Sequence, residues 1–295
     1  MGGKPSFADR MRKYYSLLPD TNAALERVGL GGVEIPLTKE GIDTLQWSTL
    51  TSVPFENIDL FDYDIMVDWG ADDLFDKIVT RRRGGYCFEL NAFFMLLAKG
   101  VGFDAHAIAG RIMPADPIVG FEDYIPAVAH RMTIVTIGGL RYVADVGYGK
   151  TTAFAVPICV DTTEEQDIRG ETFFVKDAPY NHKIVMQQTA DGPKQRFMFN
   201  PDPHPVMDFV TFNSNMARTG FRIKRIANLR TNEGSISVDG NIFRETVNGE
   251  RKETPIPTAE DAFKILTETY GMVLDPNVPL SAEGDRTPPP PPPQA

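Results

Sequence analysis

Cysteine is scarce in this chain: its 295 residues include two, Cys87 and Cys159. Two are too few for a disulfide framework, so the sequence reads as that of a protein of a reducing, cytoplasmic compartment held together by its own core. Histidine is scarce as well. His106, His130, His182 and His204 do not combine with the cysteines at metal-ligand spacing, so no metal site is indicated. No run of about eighteen apolar residues occurs, which excludes a transmembrane helix. The opening MGGKPSFADRMRKYY lacks the apolar stretch of a signal peptide. Positive charge is short too: 30 Lys and Arg stand against 40 Asp and Glu, a net charge of −10. That balance speaks against a nucleic-acid partner or an anionic membrane surface. Internal repeats are also missing.

What remains is an ordinary globular composition, 42% hydrophobic and 24% charged, long enough to bury a sizeable core in two or three units. Residues 1–85 read as a helical bundle. Ser6 can cap a helix through Leu18, Thr21 can start a second that stops near Gly29, and Thr38 begins a third. Pro54 breaks that helix and leads into an extended "VPFENIDLF", and 72–80 form a short helix with acidic residues in its first turn. Residues 86–200 open with a helix from Cys87, closed by Gly100. They continue as the strand-like runs AHAIAGRI, RMTIVTI, LRYVADV, ETFFVKD, HKIVMQQ and QRFMFN, which suggests an antiparallel sheet or barrel. Residues 201–278 mix Pro-rich loops, short strands and one helix capped by Thr258 and closed by Gly271. Residues 279–295 read as a disordered polyproline tail whose Pro288–Pro293 run could contact an SH3- or WW-type domain.

The stretch RRRGGYCFELN places Cys87 in the first turn of its helix, behind two glycines that permit close backbone approach. Unpaired N–H groups and the positive dipole end surround a sulfur so placed, and both favour a thiolate. A structural cysteine at a helix start would look the same, so a base has to decide. His130 opens AHRMTIVTIGGLRYVADVGYG, which reads as a hairpin turning at Gly138-Gly139. With a two-residue turn, Ile137 pairs with Leu140, Asp145 stands opposite Met132, and His130 lies opposite Gly147. His130 and Asp145 then become diagonal neighbours on one face, within side-chain reach. A carboxylate there would hold the imidazole in one tautomer. Cys, His and Asp in that order fit a thiol-based acyltransferase or hydrolase.

The motifs VPFENIDL, RRRGGYCFELN, AHRMTIV and ADVGYG, with the late TETYGMVLD, resemble the arylamine N-acetyltransferases. The resemblance implies an α+β fold: an N-terminal helical bundle, a central β-barrel and a C-terminal α/β lid around a transglutaminase- or papain-like Cys-His-Asp core. It implies ping-pong transfer of an acyl group from acetyl-CoA, or another acyl-CoA, to a small aromatic amine or hydrazine. On the matching motifs Cys87 would be the nucleophile, His130 the base and Asp145 its orienter, with Phe55 and Tyr148 lining the acceptor pocket. Glu56 is expected to pair with Arg82 or Arg83 and brace the cysteine turn. The other three histidines are expected to be structural or on the surface. The chain departs from the family pattern in places: Tyr148 stands where phenylalanine is more usual, Ala129 stands where threonine is usual before the histidine, and the Ser/Thr-rich stretch near the coenzyme reads FNSNMARTGF. The rival readings are a polyketide-releasing amide synthase, a thiol hydrolase with the same triad, and an idle binding protein that recruits partners through its proline tail.

Overall fold

A short helix α1 (Phe7–Arg12) leads into α2 (Thr21–Arg27), and the 14-residue α3 (Lys39–Ser52) follows. The computed structural model to which these belong describes residues 6–119, 125–148, 154–216, 218 and 220–286. Helix α1 stops well short of the expected Leu18. Beyond it, Lys13 reaches Asp68 (2.5 Å) and Asp73 (3.0 Å), and the Tyr14 ring packs on Trp69, contacts that draw the chain off the helical path. Asp20 caps α2 by accepting from Ala23 N, and Thr38 caps α3 through Gly41 N, as an oxygen-bearing N-cap should. Past Pro54 the chain forms a two-residue strand β1 (Phe55–Glu56) and a single turn α4 (Ile58–Phe61). The helix expected at 72–80 is α5 (Ala71–Leu74), which widens into a π-helical turn over Phe75–Thr80.

Helix α6 (Cys87–Val101) is the central element, with every residue from Cys87 to Ala98 buried. A helix buried on all sides has to be surrounded, and α2, α3, α5 and strands β2 and β3 enclose this one. Gly100 does not end it. The helix runs one residue further, and Gly102 closes it in the left-handed conformation (φ 116°).

The next strands are β2 (Asp104–Ile112), β3 (His130–Ile137), β4 (Leu140–Ala144), β5 (Ile158–Cys159), β6 (Gln166–Ile168), β7 (Glu171–Ala178), β8 (His182–Thr189) and β9 (Gly192–Phe199). They pair antiparallel in the order β5-β4-β3-β2-β9-β8-β7-β6. The two short edge strands, β5 and β6, escaped the sequence reading because two or three residues carry no period. Gln166 of β6 brings these edges together. Its amide accepts from Cys159 N (2.8 Å) and donates to Cys159 O (2.9 Å), imitating a backbone pair and nearly closing the sheet into the expected barrel. The barrel interior is apolar, with Ile108, Met132, Ile134, Val143, Phe173 and Phe197 among its buried residues.

A helix absent from the sequence expectation, α7 (Asp208–Met216), covers part of α6 through Phe209. Strands β10 (Ile226–Arg230), β11 (Gly234–Asp239), β12 (Ile242–Val247) and β13 (Glu250–Pro255) form a meander that β1 extends at its first edge. The bundle region thus lends a strand to the C-terminal sheet, so the two are joined by backbone bonds across residue 85. Helix α8 (Ala259–Lys264), capped by Thr258 and followed by another π-helical turn to Thr269, packs on this sheet through Ala262 and Leu266.

The tail boundary expected at 279 falls too early. Ser281 N donates to Asp62 Oδ1 (2.9 Å), Arg225 N donates to Gly284 O (2.8 Å), and Arg286 stacks over Phe61 while donating to its carbonyl (3.0 Å). The Pro288–Pro293 run lies outside the described residues. Among the described residues no helix is long and apolar enough to cross a membrane, and no His/Cys/Asp/Glu group could hold a metal ion.

Candidate active site

Cys87 is the first residue of α6, and Tyr86 is its N-cap. The Tyr86 N–H, which the helix leaves without a carbonyl, donates to Glu89 Oε2 (3.1 Å), while the Tyr86 carbonyl accepts from Glu89 N and Leu90 N (both 3.0 Å). The Tyr86 hydroxyl bonds Asn213 of α7. Gly84 is required here by space: a Cβ would lie 1.7 Å from the Pro54 carbonyl oxygen, so no other residue lets the loop pass under β1.

The β3–β4 hairpin has the predicted register. Ile137 pairs with Leu140 and Thr133 with Ala144, around a turn with both glycines at positive φ. The ladder ends there, so Asp145 and Gly147 do not pair with Met132 and His130. The chain bends toward α6 instead, and Asp145 N donates to Gln46 Oε1 of α3 (3.2 Å). The bend improves the predicted contact: Asp145 Oδ2 lies 2.7 Å from His130 Nε2. Its other oxygen accepts from Asn91 Nδ2 and from Gly147 N, both at 2.8 Å. Asn91 also donates to Arg131 O (2.6 Å) and accepts from Val146 N (3.0 Å), tying α6 to β3 and to the segment that follows β4. Gly147 then lies against the nucleophile turn, where an added Cβ would stand 2.7 Å from Cys87 Cα.

With Nε2 committed to Asp145, Nδ1 is the imidazole nitrogen left for the Cys87 sulfur, and the two residues line the same cavity. Phe197 of the barrel stacks on the ring at 5.4 Å and 17°. Burial disfavours the imidazolium. The Asp145 charge and hydrogen bond, with the neighbouring Cys87 sulfur, outweigh that penalty and raise His130 to about 10.

Cys87 and His130 open on a cavity of about 200 Å³. Phe55, Ile112, Tyr148, Met216, Phe221 and Ile226 supply its apolar walls, with Ala129 and Gly147 beside the pair. Phe55 and Tyr148, singled out from the sequence, therefore share one space with Cys87 and His130. The other histidines lie elsewhere: His106 Nε2 contacts Pro201 O, His182 Nδ1 contacts Pro179 O, and His204 stands beside Asp208.

Beneath the cysteine turn lies a buried charge network. Of the two candidates, Arg83 is the partner of Glu56 (2.8 Å), and it also binds Asp59 (2.8 Å). Arg82 is exposed, with its carbonyl accepting from the buried Arg27 (3.3 Å). Lys77, from the π-helical turn, was not anticipated. Its ammonium meets Glu89 and Asp59 at 2.7 Å each and Glu56 at 3.7 Å. Asn91 was within reach of sequence reasoning, since it stands one helical turn after Cys87 and so on the same face. Gln46, Lys77 and Phe197 carried no comparable sign, because distant segments bring them to the site.

Comparison with known proteins bears on the family and the fold. The family profile described as N-acetyltransferase matches residues 40–278. An arylamine N-acetyltransferase of Mycolicibacterium smegmatis is 31% identical over 196 residues, 64% of this chain and 67% of that protein. A proansamycin X synthase of Amycolatopsis mediterranei is 25% identical, covering 84% of this chain and 95% of its own length. Among solved structures, the arylamine N-acetyltransferase of Salmonella typhimurium aligns at a TM-score of 0.78 and 21% identity, over 88% of this chain and 93% of that one. The Mycobacterium marinum enzyme in complex with CoA aligns at 0.73 and 22%, over 86% and 93%. The chain belongs to the arylamine N-acetyltransferase family.

Proposed function

We propose that this chain moves an acetyl group from acetyl-CoA to a small aromatic amine or hydrazine by a ping-pong route through Cys87. The observation that carries this reading is a cysteine at a helix N-terminus that shares an apolar cavity with a histidine held by a buried aspartate. The solved relative that holds CoA supports the choice of donor.

In the first half-reaction the Cys87 sulfur attacks the thioester carbonyl and a new S–C bond forms. Backbone N–H groups of the first turn of α6 face the developing oxyanion. The bond to the coenzyme sulfur then breaks, and CoA leaves with the proton carried by His130. In the second, the amine nitrogen attacks the Cys87 thioester and His130 takes its proton at the nitrogen facing the sulfur. The N–C bond forms, Cys87 is released, and the pair returns to its resting charge. Asp145 fixes the tautomer and stabilises the imidazolium. Phe55 and Tyr148 would hold the aromatic ring of the acceptor.

A second reading follows from the proansamycin X synthase relative: amide formation releasing a polyketide chain. The apolar, aromatic lining of the cavity suits an aromatic amine, and the two readings part on the acyl donor each uses. Intact-mass spectrometry with acetyl-, propionyl- or malonyl-CoA and no amine tests both. The expected result is an acyl adduct on Cys87 that disappears when an arylamine is added. No adduct from any of the three, with Cys87 still open to alkylation, would overturn the acyl-CoA reading in favour of a carrier-bound donor or hydrolysis.

A further inference from the structure

The charge network under the cysteine turn is unbalanced. Glu56, Asp59 and Glu89 contribute three carboxylates, against the two cations Lys77 and Arg83. Arg83 is committed to Glu56 and Asp59, so Glu89 depends on Lys77, which it shares with both other carboxylates. Glu89 is also the residue joining this network to the nucleophile. One oxygen takes the Lys77 ammonium (2.7 Å), and the other takes the N–H of Tyr86, the residue just before Cys87. The π-helical turn serves this contact, since it is the segment that delivers Lys77.

We propose that Lys77 and Glu89 form a charge-dependent positioning clamp for Cys87: ionised Glu89, held by Lys77, fixes the Tyr86–Cys87 peptide and so the line from sulfur to imidazole. This inference rests on Cys87 being the nucleophile. The groups facing Glu89 are Lys77 from the π-helical turn, Glu56 and Asp59 from β1 and α4, Arg83 from the preceding loop, and Tyr86 and Cys87 on its own helix. Burial raises Glu89 to about 7, with the neighbouring carboxylates adding to the rise and Lys77 opposing it. Lys77 itself is raised, because all three carboxylates favour its charged form against burial. Both residues move upward, so Lys77 keeps its charge while Glu89 is the carboxyl that takes up a proton, and the clamp weakens on acidification through neutral pH.

The test is the rate of Cys87 acylation by acetyl-CoA, read by quenched-flow mass spectrometry between about pH 6 and about pH 8, for wild type, E89Q, K77M and K77R. Wild type is expected to show an inflection near 7. E89Q should lose that inflection and run about tenfold below the wild-type alkaline plateau, with unchanged half-saturation by acetyl-CoA. K77M should move the inflection upward by about one pH unit or more, and K77R should restore it. If E89Q retains both the inflection and the rate, or K77M changes only thermal stability, the clamp is wrong. E89Q keeps the size and K77R the charge of the group it replaces, so they decide the matter if K77M does not fold. Iodoacetamide alkylation of the same variants needs no coenzyme. A wild type that alkylates with the predicted pattern but never acylates would overturn the transferase reading and leave the clamp standing.

Discussion

Asp145 is held from three directions, by His130, Asn91 and the Gly147 amide, and it is fully buried. Replacing it with asparagine keeps the shape but removes the charge that holds the imidazole upright and raises His130. D145N should therefore lower single-turnover acylation by about 10³-fold or more at neutral pH. Asn91 acts at one remove, through Asp145. N91A would strip a donor from Asp145 and leave the Arg131 carbonyl and Val146 N–H without their partner. Each buried group so orphaned costs about 1–3 kcal/mol, so urea unfolding should show a loss of several kcal/mol alongside the fall in rate. Of these residues, Cys87, His130 and Asp145 were legible from spacing and hairpin register. Asn91 was legible from helical period alone and passed over. Gln46 and Phe197 were not, since each reaches the site from a segment with no local pattern that points there.

At the scale of the element, the barrel depends on a side chain where backbone pairing runs out. Gln166 bridges β6 to Cys159 of β5 with two bonds that no ladder supplies. Q166A should leave Cys159 N–H open to exchange, and hydrogen-exchange mass spectrometry should show deprotection confined to β5 and β6, with a stability loss of about 1–3 kcal/mol. The longer strands declared themselves in the sequence because each alternates or runs apolar between turn residues. Helix α7 did not, because its sequence DFVTFNSNM mixes β-branched and Asn residues of low intrinsic propensity. Packing of Phe209 and the Tyr86–Asn213 bond supply what propensity lacks.

Across the whole molecule, the pair Asp62–Arg225 joins the N-terminal region to the C-terminal sheet, both side chains being out of solvent. D62A would leave Arg225 buried without its carboxylate and release Ser281 N, at a cost of about 3–5 kcal/mol in chemical unfolding. The buried titratable groups also set how stability varies with pH. Glu89 binds its proton more tightly in the folded chain than its usual 4.5, so its contribution is complete below about 4.5 and fades as pH rises through about 7. His130 is likewise raised, from 6.5 to about 10, so its contribution is complete below about 6.5 and is lost as pH rises through about 10. The stability of wild type relative to E89Q, measured by urea titration, should accordingly shrink between about pH 4.5 and about pH 7.

The sequence by itself determined which residues could do the chemistry. Short-range rules govern a cysteine in a first helical turn, a hairpin with two glycines at its tip, and a histidine and aspartate on one face. Such rules need no knowledge of the rest of the chain. Only the tertiary structure decided where Asp145 leaves its strand, which arginine answers Glu56, and that Lys77 lies beneath the nucleophile. Those choices depend on how buried charges share partners across segments far apart in sequence, and no local period or propensity encodes that sharing.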